Sequence, residues 1–250
     1  MKVVQVNAWK GYLIQPLMEF IRQEQPDILC SQEVSSSSRP NPLFHIFQNL
    51  EYIKEAGDFE YTFFSPTSSF DAFGAKVDTG NAIFSKIPFV NQRTEFINEK
   101  YNPDQTVLDF RFNITNIQIC ELQLPNNQKL AVANYHGYHD VNPLGTERTI
   151  ECSKEVAKIL NPLKDSLLLC GDFNISPESP AFKPINSLDL INPTVENGIK
   201  TTLSKVHRIS NRDKTVCDYI LHSPKVKVGK FTVSDKIVSD HKALILEFDL

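Results

Sequence analysis

Carboxylate, amide and imidazole side chains in this chain gather at the ends of apolar runs, a set of types that suits holding a phosphate beside a hard metal ion. His241 stands in Ser239-Asp240-His241 and is followed at once by the apolar run 242–248. Asp218 interrupts another such run, between Val216-Cys217 and Tyr219-Ile220-Leu221. A carboxylate among apolar neighbours must find a partner, because an unpaired buried charge is costly. An imidazole is a suitable one, since the carboxylate fixes its tautomer and stabilises the imidazolium. The expectation is an Asp218–His241 pair facing a phosphate, with Asp240 left to reach a metal.

Glu33 closes the run 28–32, where a carboxylate on a rigid frame is what a hard divalent cation needs. Asp172 and Asn174 follow an apolar run and Gly171. Asp-x-Asn is also a common turn, because both side chains bond nearby backbone groups. The functional reading has Gly171 allowing close approach, Asp172 orienting or deprotonating water, and Asn174 holding a phosphate oxygen. His136 and His139 both follow the run 130–135. His136 is preferred because it ends the run directly and Gly137 gives it room.

Placing those tips together requires strands. Residues 3–8 read as a buried strand ending at Asn7-Ala8-Trp9, and 27–31 as a short one delivering Gln32-Glu33. Residues 13–23 carry Leu13, Leu17, Phe20 and Ile21 at helical spacing, and Pro26 stops that helix. Residues 35–42 read as a Ser/Pro-rich loop and 43–53 as a second helix. From Tyr61 the period changes to two, giving strand candidates at 61–64, 81–84, 107–112, 117–124 and 130–135. Asn126-Asn127 marks a hairpin turn between the last two. Residues 146–160 form the clearest helix, capped by Thr146, with Glu147 in its first turn and Pro162 beyond it. Further strands are expected at 166–170, 216–221, 226–233 and 243–248. Two packed sheets with helices outside would bury all these runs as one domain over 1–250.

Composition bounds the reading. Hydrophobic residues at 41% and charged residues at 22% are those of an ordinary globular protein. No apolar stretch reaches the roughly 18 residues of a membrane span, and the N-terminus has no secretory pattern. Five scattered cysteines without a CxxC read as small core residues in a reducing, cytoplasmic setting rather than a disulfide frame or zinc site. A net charge of −4 argues against coating duplex DNA by bulk electrostatics, but not against a phosphate substrate in one cleft. The most basic stretch, 200–214, holds Lys200, Lys205, Arg208, Arg212, Lys214 and His207.

In order along the chain, Val6-Asn7-Ala8-Trp9, Ser31-Gln32-Glu33, Asn134-Tyr135-His136-Gly137, Gly171-Asp172-Phe173-Asn174, Asp218-Tyr219-Ile220 and Ser239-Asp240-His241 resemble motifs of the endonuclease/exonuclease/phosphatase superfamily. That is the fold of deoxyribonuclease I and the abasic-site exonucleases. Each motif is short, and it is their shared order across nearly the whole chain that carries the resemblance. It implies a four-layer α/β/β/α sandwich, two mainly antiparallel sheets packed face to face, with the active site across one edge. It also implies that Glu33 is the principal ligand of a magnesium or manganese ion, with Asn7 and Asp240 nearby. Asp172 would activate or position the attacking water and Asn174 would orient the phosphate. His136 and His241 would bind and polarise that phosphate, with Asp218 behind His241.

Trp9 stands where some members of that family carry an acidic residue, so the resemblance does not carry over a second metal position. Asn81, in the run Gly80 to Ser85, is a candidate for substrate contact and equally a turn residue; Arg148, at a helix start, is a weaker candidate. The expected reaction is hydrolysis of a phosphoester by in-line attack of water, with DNA or RNA the favoured partner. The basic stretch would meet the nucleic-acid backbone and Phe70 or Phe73 would stack on bases. An inositol-phosphate, nucleotide or lipid-headgroup ester would use the same groups. The reading from another class is a binding module that kept the sandwich without the chemistry. Neither a membrane-inserting hairpin nor a protein partner is readable.

Overall fold

Leu167 and Leu169 turn outward against helices while Leu168 and Cys170 turn inward toward a second sheet, and this period-two division organises the molecule. The structure is a computed structural model that describes residues 1–39, 46–104, 113–124, 127–140, 142, 144–209 and 212–250. The elements run β1 (Lys2–Asn7), α1 (Ile14–Glu24), β2 (Ile28–Ser37), α2 (Asn49–Gly57), β3 (Tyr61–Ala72), β4 (Ala75–Ser85), β5 (Phe89–Asn98), β6 (Thr115–Gln123) and β7 (Lys129–His136). They continue as α3 (Glu147–Leu160), β8 (Leu167–Asp172), α4 (Phe182–Asn186), α5 (Pro193–Glu196), β9 (Asp218–His222), β10 (Lys227–Val233) and β11 (Leu244–Asp249).

One sheet has the order β10-β11-β1-β2-β4-β3 and the other β5-β6-β7-β8-β9. Pairing is antiparallel except for β1 with β2 and β7 with β8. Parallel neighbours need a long crossover, which α1 and α3 supply. The inner faces meet through Val3, Ile28 and Ile83 on one side and Leu122, Val132 and Ile220 on the other. Outside, α1 and α2 cover Val4, Val6, Leu29 and Phe84 with Leu17, Phe20, Ile21 and Ile53. On the opposite face α3 and α4 cover Ala131, Ala133 and Tyr219 with Val156, Leu160, Phe182 and Ile185. The result is the expected α/β/β/α sandwich. The five cysteines are buried free thiols. Among the described residues no helix is long and apolar enough to cross a membrane.

The helix ends follow local chemistry. Gln25 closes α1 in the left-handed region at φ +48°, just before Pro26. The backbone N–H of Thr146 donates to the Thr149 hydroxyl at 3.1 Å at the start of α3. Asn127, at φ +63°, donates its N–H to Leu124 O and turns β6 into β7 as the hairpin signal predicts; Asn126 lies outside the described residues.

Several expectations shift or fall outside the described residues. Residues 35–37 extend β2 instead of opening a loop. Of the helix expected at 43–53, residues 43–45 lie outside the described residues, and the described helix starts at Asn49 and runs on to Gly57. The strand expected at 107–112 also lies outside them, whereas β5, at a sheet edge with most of its side chains partly or fully exposed, lacks the apolar run that would have announced it.

Candidate functional site

Register alone brings three of the expected side chains to one row. In the parallel pair β7–β8, His136 lies opposite Asp172, and in the antiparallel pair β8–β9, Asp172 lies opposite Asp218. Residues directly opposite across strands point to the same face. From the other sheet, Asn7 ends β1 beside Gln32 of β2. Glu33 does not close its strand. Instead β2 continues, its pairing with β4 slips between Ser31 and Val34, and Glu33 sits in this bulge at φ +54°. Bulges re-aim side chains, and a left-handed non-glycine residue is uncommon. Trp9 at φ +47° and Asn174 at φ +56° share that conformation.

Asp172 Oδ2 is the focus of the cluster. Asn7 Nδ2 donates to it at 3.2 Å and also to Glu33 Oε1 at 3.2 Å. His136 Nε2 and His241 Nε2 lie 3.8 Å and 3.7 Å from the same oxygen, beyond hydrogen-bond reach. Two imidazoles therefore face one carboxylate across a gap. Behind His241, Nδ1 donates to Asp218 Oδ2 at 2.9 Å and Oδ1 at 3.1 Å. Carboxylates only accept, so Nδ1 carries a proton. Burial opposes charge on this ring, but Asp218 and then Asp172 outweigh it and hold His241 well above the ordinary imidazole range.

Asn174 is both turn and cluster member. Its backbone N–H donates to Asp172 Oδ1 at 3.0 Å and its Nδ2 to Gly137 O at 3.1 Å. Both glycines of the motifs are sterically required. A Cβ on Gly137 would lie 2.1 Å from Phe173 O, and one on Gly171 1.9 Å from Tyr135 O. His139 lines a cleft of about 290 Å³ together with His136, Glu33, Lys10, Asn81 and Asn113.

Asp240 accepts from the Ser239 hydroxyl at 3.2 Å. Its carboxyl is pushed up to about 6, first by burial and further by Glu33 and Asp172, against the lowering effect of His241. Three carboxylates gathered in one half-buried cleft are a site short of positive charge, and their hard oxygens fit a divalent cation of the magnesium or manganese kind. The neighbouring group of Asp172, Cys217, Asp218 and His241 is close enough for metal ligation, but its members are committed to each other. The Cys217 thiol donates to Asp218 Oδ2 at 3.4 Å, and burial followed by the Asp218 charge pushes it well above the usual thiol range.

The remaining expectations fare differently. Asn81 is no turn residue. It lies in β4, buried, with Nδ2 donating to Asn116 Oδ1 at 2.8 Å. Arg148 is not brought to this cluster: Nε and Nη2 donate to Asn98 Oδ1 at 2.8 Å and 2.5 Å, and Nη1 to Glu151 at 2.9 Å. Phe73 is exposed at the tip of the β3–β4 hairpin. Lys200, Lys205, Arg208 and Lys214 are exposed as well.

Two participants escaped the sequence reading. Gln5 donates from Nε2 to Asp218 Oδ1 at 3.2 Å and to Gln32 Oε1 at 3.0 Å. His207 places its ring 5.7 Å from that of His241. An amide inside an apolar strand was the available signal for Gln5; nothing in the basic stretch distinguished His207 from a solvated residue.

The model of the Endonuclease/Exonuclease/phosphatase family matches residues 4–241, a span that holds every one of these strand-end groups. The chain belongs to this family. A family relative from Arabidopsis thaliana, "Carbon catabolite repressor protein 4 homolog 3", is 27% identical over 187 residues, 72% of this chain. The match covers 36% of that relative's length. Two solved structures share the family's sandwich. The human Nocturnin catalytic domain with a bound sulfate anion is 20% identical with a TM-score of 0.70, covering 100% of this chain and 93% of the domain. The mannosyl-6-phosphatase Bt3783 of Bacteroides thetaiotaomicron is 16% identical with a TM-score of 0.70, each chain being covered completely.

Proposed function

We propose that this protein is a divalent-metal-dependent phosphoester hydrolase, acting by in-line attack of water and most naturally on a phosphodiester of DNA or RNA. The observation that carries the reading is the meeting of Asn7, His136 and His241 at Asp172 Oδ2, with Asp218 backing His241. A carboxylate among imidazoles across a gap combines a base for water with donors for the oxygens of a phosphoryl group.

Asp172 orients the water and receives its proton. His136 and His241 donate through Nε2 to the phosphoryl oxygens, and the charge that Asp218 maintains on His241 strengthens its donation. Asn174 orients the phosphate from its left-handed turn. Glu33, with Asn7 and Asp240, would hold one magnesium or manganese ion, which when bound neutralises a phosphoryl oxygen and the leaving oxyanion. Asn81, on the wall of the cleft, is a further contact for the substrate. The exposed Lys200, Lys205, Arg208 and Lys214 are the groups that would meet the phosphates of a nucleic-acid backbone.

The test is hydrolysis of bis-para-nitrophenyl phosphate with magnesium, manganese or chelator, by wild type, Glu33→Gln and His241→Ala. Metal-dependent turnover that either substitution abolishes is expected. Full activity in either variant would sink the assignment, and no turnover on this ester or on nucleic acid would leave a binding module. A panel of single-stranded DNA, abasic duplex, RNA and inositol phosphates then separates diester from monoester substrates. Preference for the monoesters would replace the nucleic-acid reading.

A further inference from the structure

A loop side chain stays in place only when its backbone is tied to the scaffold, and the segment leading to His207 is tied to the Ser239–His241 turn itself. Lys242 N–H donates to Thr202 O at 2.7 Å and Ser204 N–H to Asp240 O at 2.8 Å. The Ser204 hydroxyl donates to Ser239 O at 2.7 Å, and Leu203 bridges to His241. His207 N–H then closes a turn on Ser204 O at 3.1 Å. The ring that results is half-buried, nearly perpendicular to His241 at 80°, with Nε2 3.8 Å from Asp240 Oδ2.

The tautomer of this ring follows from one bond. The backbone N–H of Ile209 donates to His207 Nδ1 at 3.3 Å. A backbone amide can only donate, so Nδ1 is unprotonated and the ring proton sits on Nε2. His207, Asp240 and His241 lie close enough together to suggest a metal triad. A metal ligand must offer a lone pair, however, and the Nε2 that faces Asp240 carries a proton instead. At 3.8 Å this N–H and the carboxylate flank a gap without closing it. That is also the spacing of His136 and His241 about Asp172.

We infer that His207 is a third imidazole donor to the bound phosphoryl group, a substrate-positioning residue supplied by the loop that follows Thr202. This rests on the hydrolase reading above and adds to it a contact outside the strand-end motifs. The ring enters the site from the segment carrying the exposed Lys205 and Arg208, so it joins the phosphoryl group to the part of the surface that would meet the rest of an anionic substrate.

The experiment is calorimetric titration of inorganic phosphate into manganese-loaded wild type, His207→Ala and His207→Gln. Manganese is titrated separately into these proteins and into Glu33→Gln. Phosphate binding is expected to weaken about 10- to 100-fold in His207→Ala, the effect of losing a hydrogen bond to a charged group. Manganese affinity and Tm should not change, and His207→Gln, which keeps an N–H donor, should recover part of the loss. Unchanged phosphate affinity in His207→Ala, or no phosphate binding by wild type, overturns the inference. Weakened manganese binding would make the residue a metal ligand, and a lower Tm without recovery in His207→Gln would make it a packing element; either result also overturns it. The hydrolase reading fails on a different result, manganese binding by Glu33→Gln as tight as by wild type.

Discussion

Asp218 accepts the Nδ1–H of His241 with both carboxylate oxygens, at 2.9 Å and 3.1 Å, in a place where both side chains are buried. The pair spans the sandwich: Asp218 opens β9 of one sheet, and His241 precedes β11 of the other. The inter-sheet core thus fixes the direction in which Nε2 points.

The charge on His241 should respond to this pairing. Burial lowers the imidazole pKa, while Asp218 and Asp172 raise it by more. A raised histidine stabilises the fold fully below its unfolded value of about 6.5, and that contribution is lost as pH rises through the folded value. In wild type, His241 ring resonances should remain those of an imidazolium beyond the range where exposed histidines titrate. In Asp218→Asn, with burial less opposed, they should titrate at lower pH. Identical titration curves in an NMR pH series would show that Asp218 does not set the charge.

Asp240 behaves oppositely. Its carboxyl, raised from 3.8 to about 6 chiefly by burial, favours the neutral form in the fold. Below the unfolded value both states are protonated and nothing is lost. Between about 4 and 6 stability falls as pH rises, and above that the full cost is present, up to roughly 3 kcal/mol. Asp240→Asn should therefore stabilise the metal-free protein by about 1–3 kcal/mol at pH 8 and leave it unchanged at pH 3. Manganese should raise the Tm of wild type more than that of Asp240→Asn. Denaturant unfolding at the two pH values checks the first expectation, and destabilisation at pH 8 would refute it.

Much of this site was legible because strand ends announce themselves. His136, Asp172 and Asp218 each follow or interrupt an apolar run, and register then places them in one row. What period and polarity did not reveal was local backbone irregularity. The bulge that aims Glu33 has no sequence sign beyond the Ser-rich continuation of its strand. Arg148 looked available because its partner, Asn98, lies at the end of a strand with no apolar pattern. His207 was hidden for a further reason: its position depends on backbone bonds to Asp240 and Lys242, made by a segment with no regular structure of its own.

Gly137 should tolerate no side chain. A methyl group there would meet Phe173 O at 2.1 Å, in a backbone also held by Gly137 N–H to Asp172 O at 2.7 Å. Gly137→Ala should cost about 1–3 kcal/mol of stability, the range of an overpacked core. It should also disturb Asn174, whose amide donates to Gly137 O. Thermal unfolding with kcat in parallel measures both, and an unchanged Tm would mean that the two segments can part freely.

Removing either histidine that faces Asp172 should cost turnover, and only one of the two should also cost stability. Loss of one preorganised donor typically lowers kcat roughly 100- to 1000-fold. His136→Ala, at a half-exposed position, should retain the wild-type Tm. His241→Ala leaves Asp218 buried without its partner and should also lower the Tm. Loss of kcat without loss of Tm in His136→Ala is the discriminating result, and kcat within a few-fold of wild type would remove His136 from the chemistry.

A ladder of buried amides between the sheets gives the last prediction. Gln5 donates to Asp218 and Gln32, and Gln32 donates to Asn134 at 2.6 Å. Asn134 donates to Gln118 Oε1 at 3.0 Å, and Gln118 donates to Ser65 Oγ at 3.0 Å. Only the Gln5 end touches the pair that carries His241. Gln5→Leu and Gln118→Leu each strand buried partners and should each cost about 1–3 kcal/mol. Gln5→Leu alone deprives Asp218 of a donor that favours its ionised form, so it alone should also lower the pH at which His241 loses its proton. If both variants shift that titration equally, the ladder acts on the site through general loosening of the core; if neither does, the Gln5 bond is structural only.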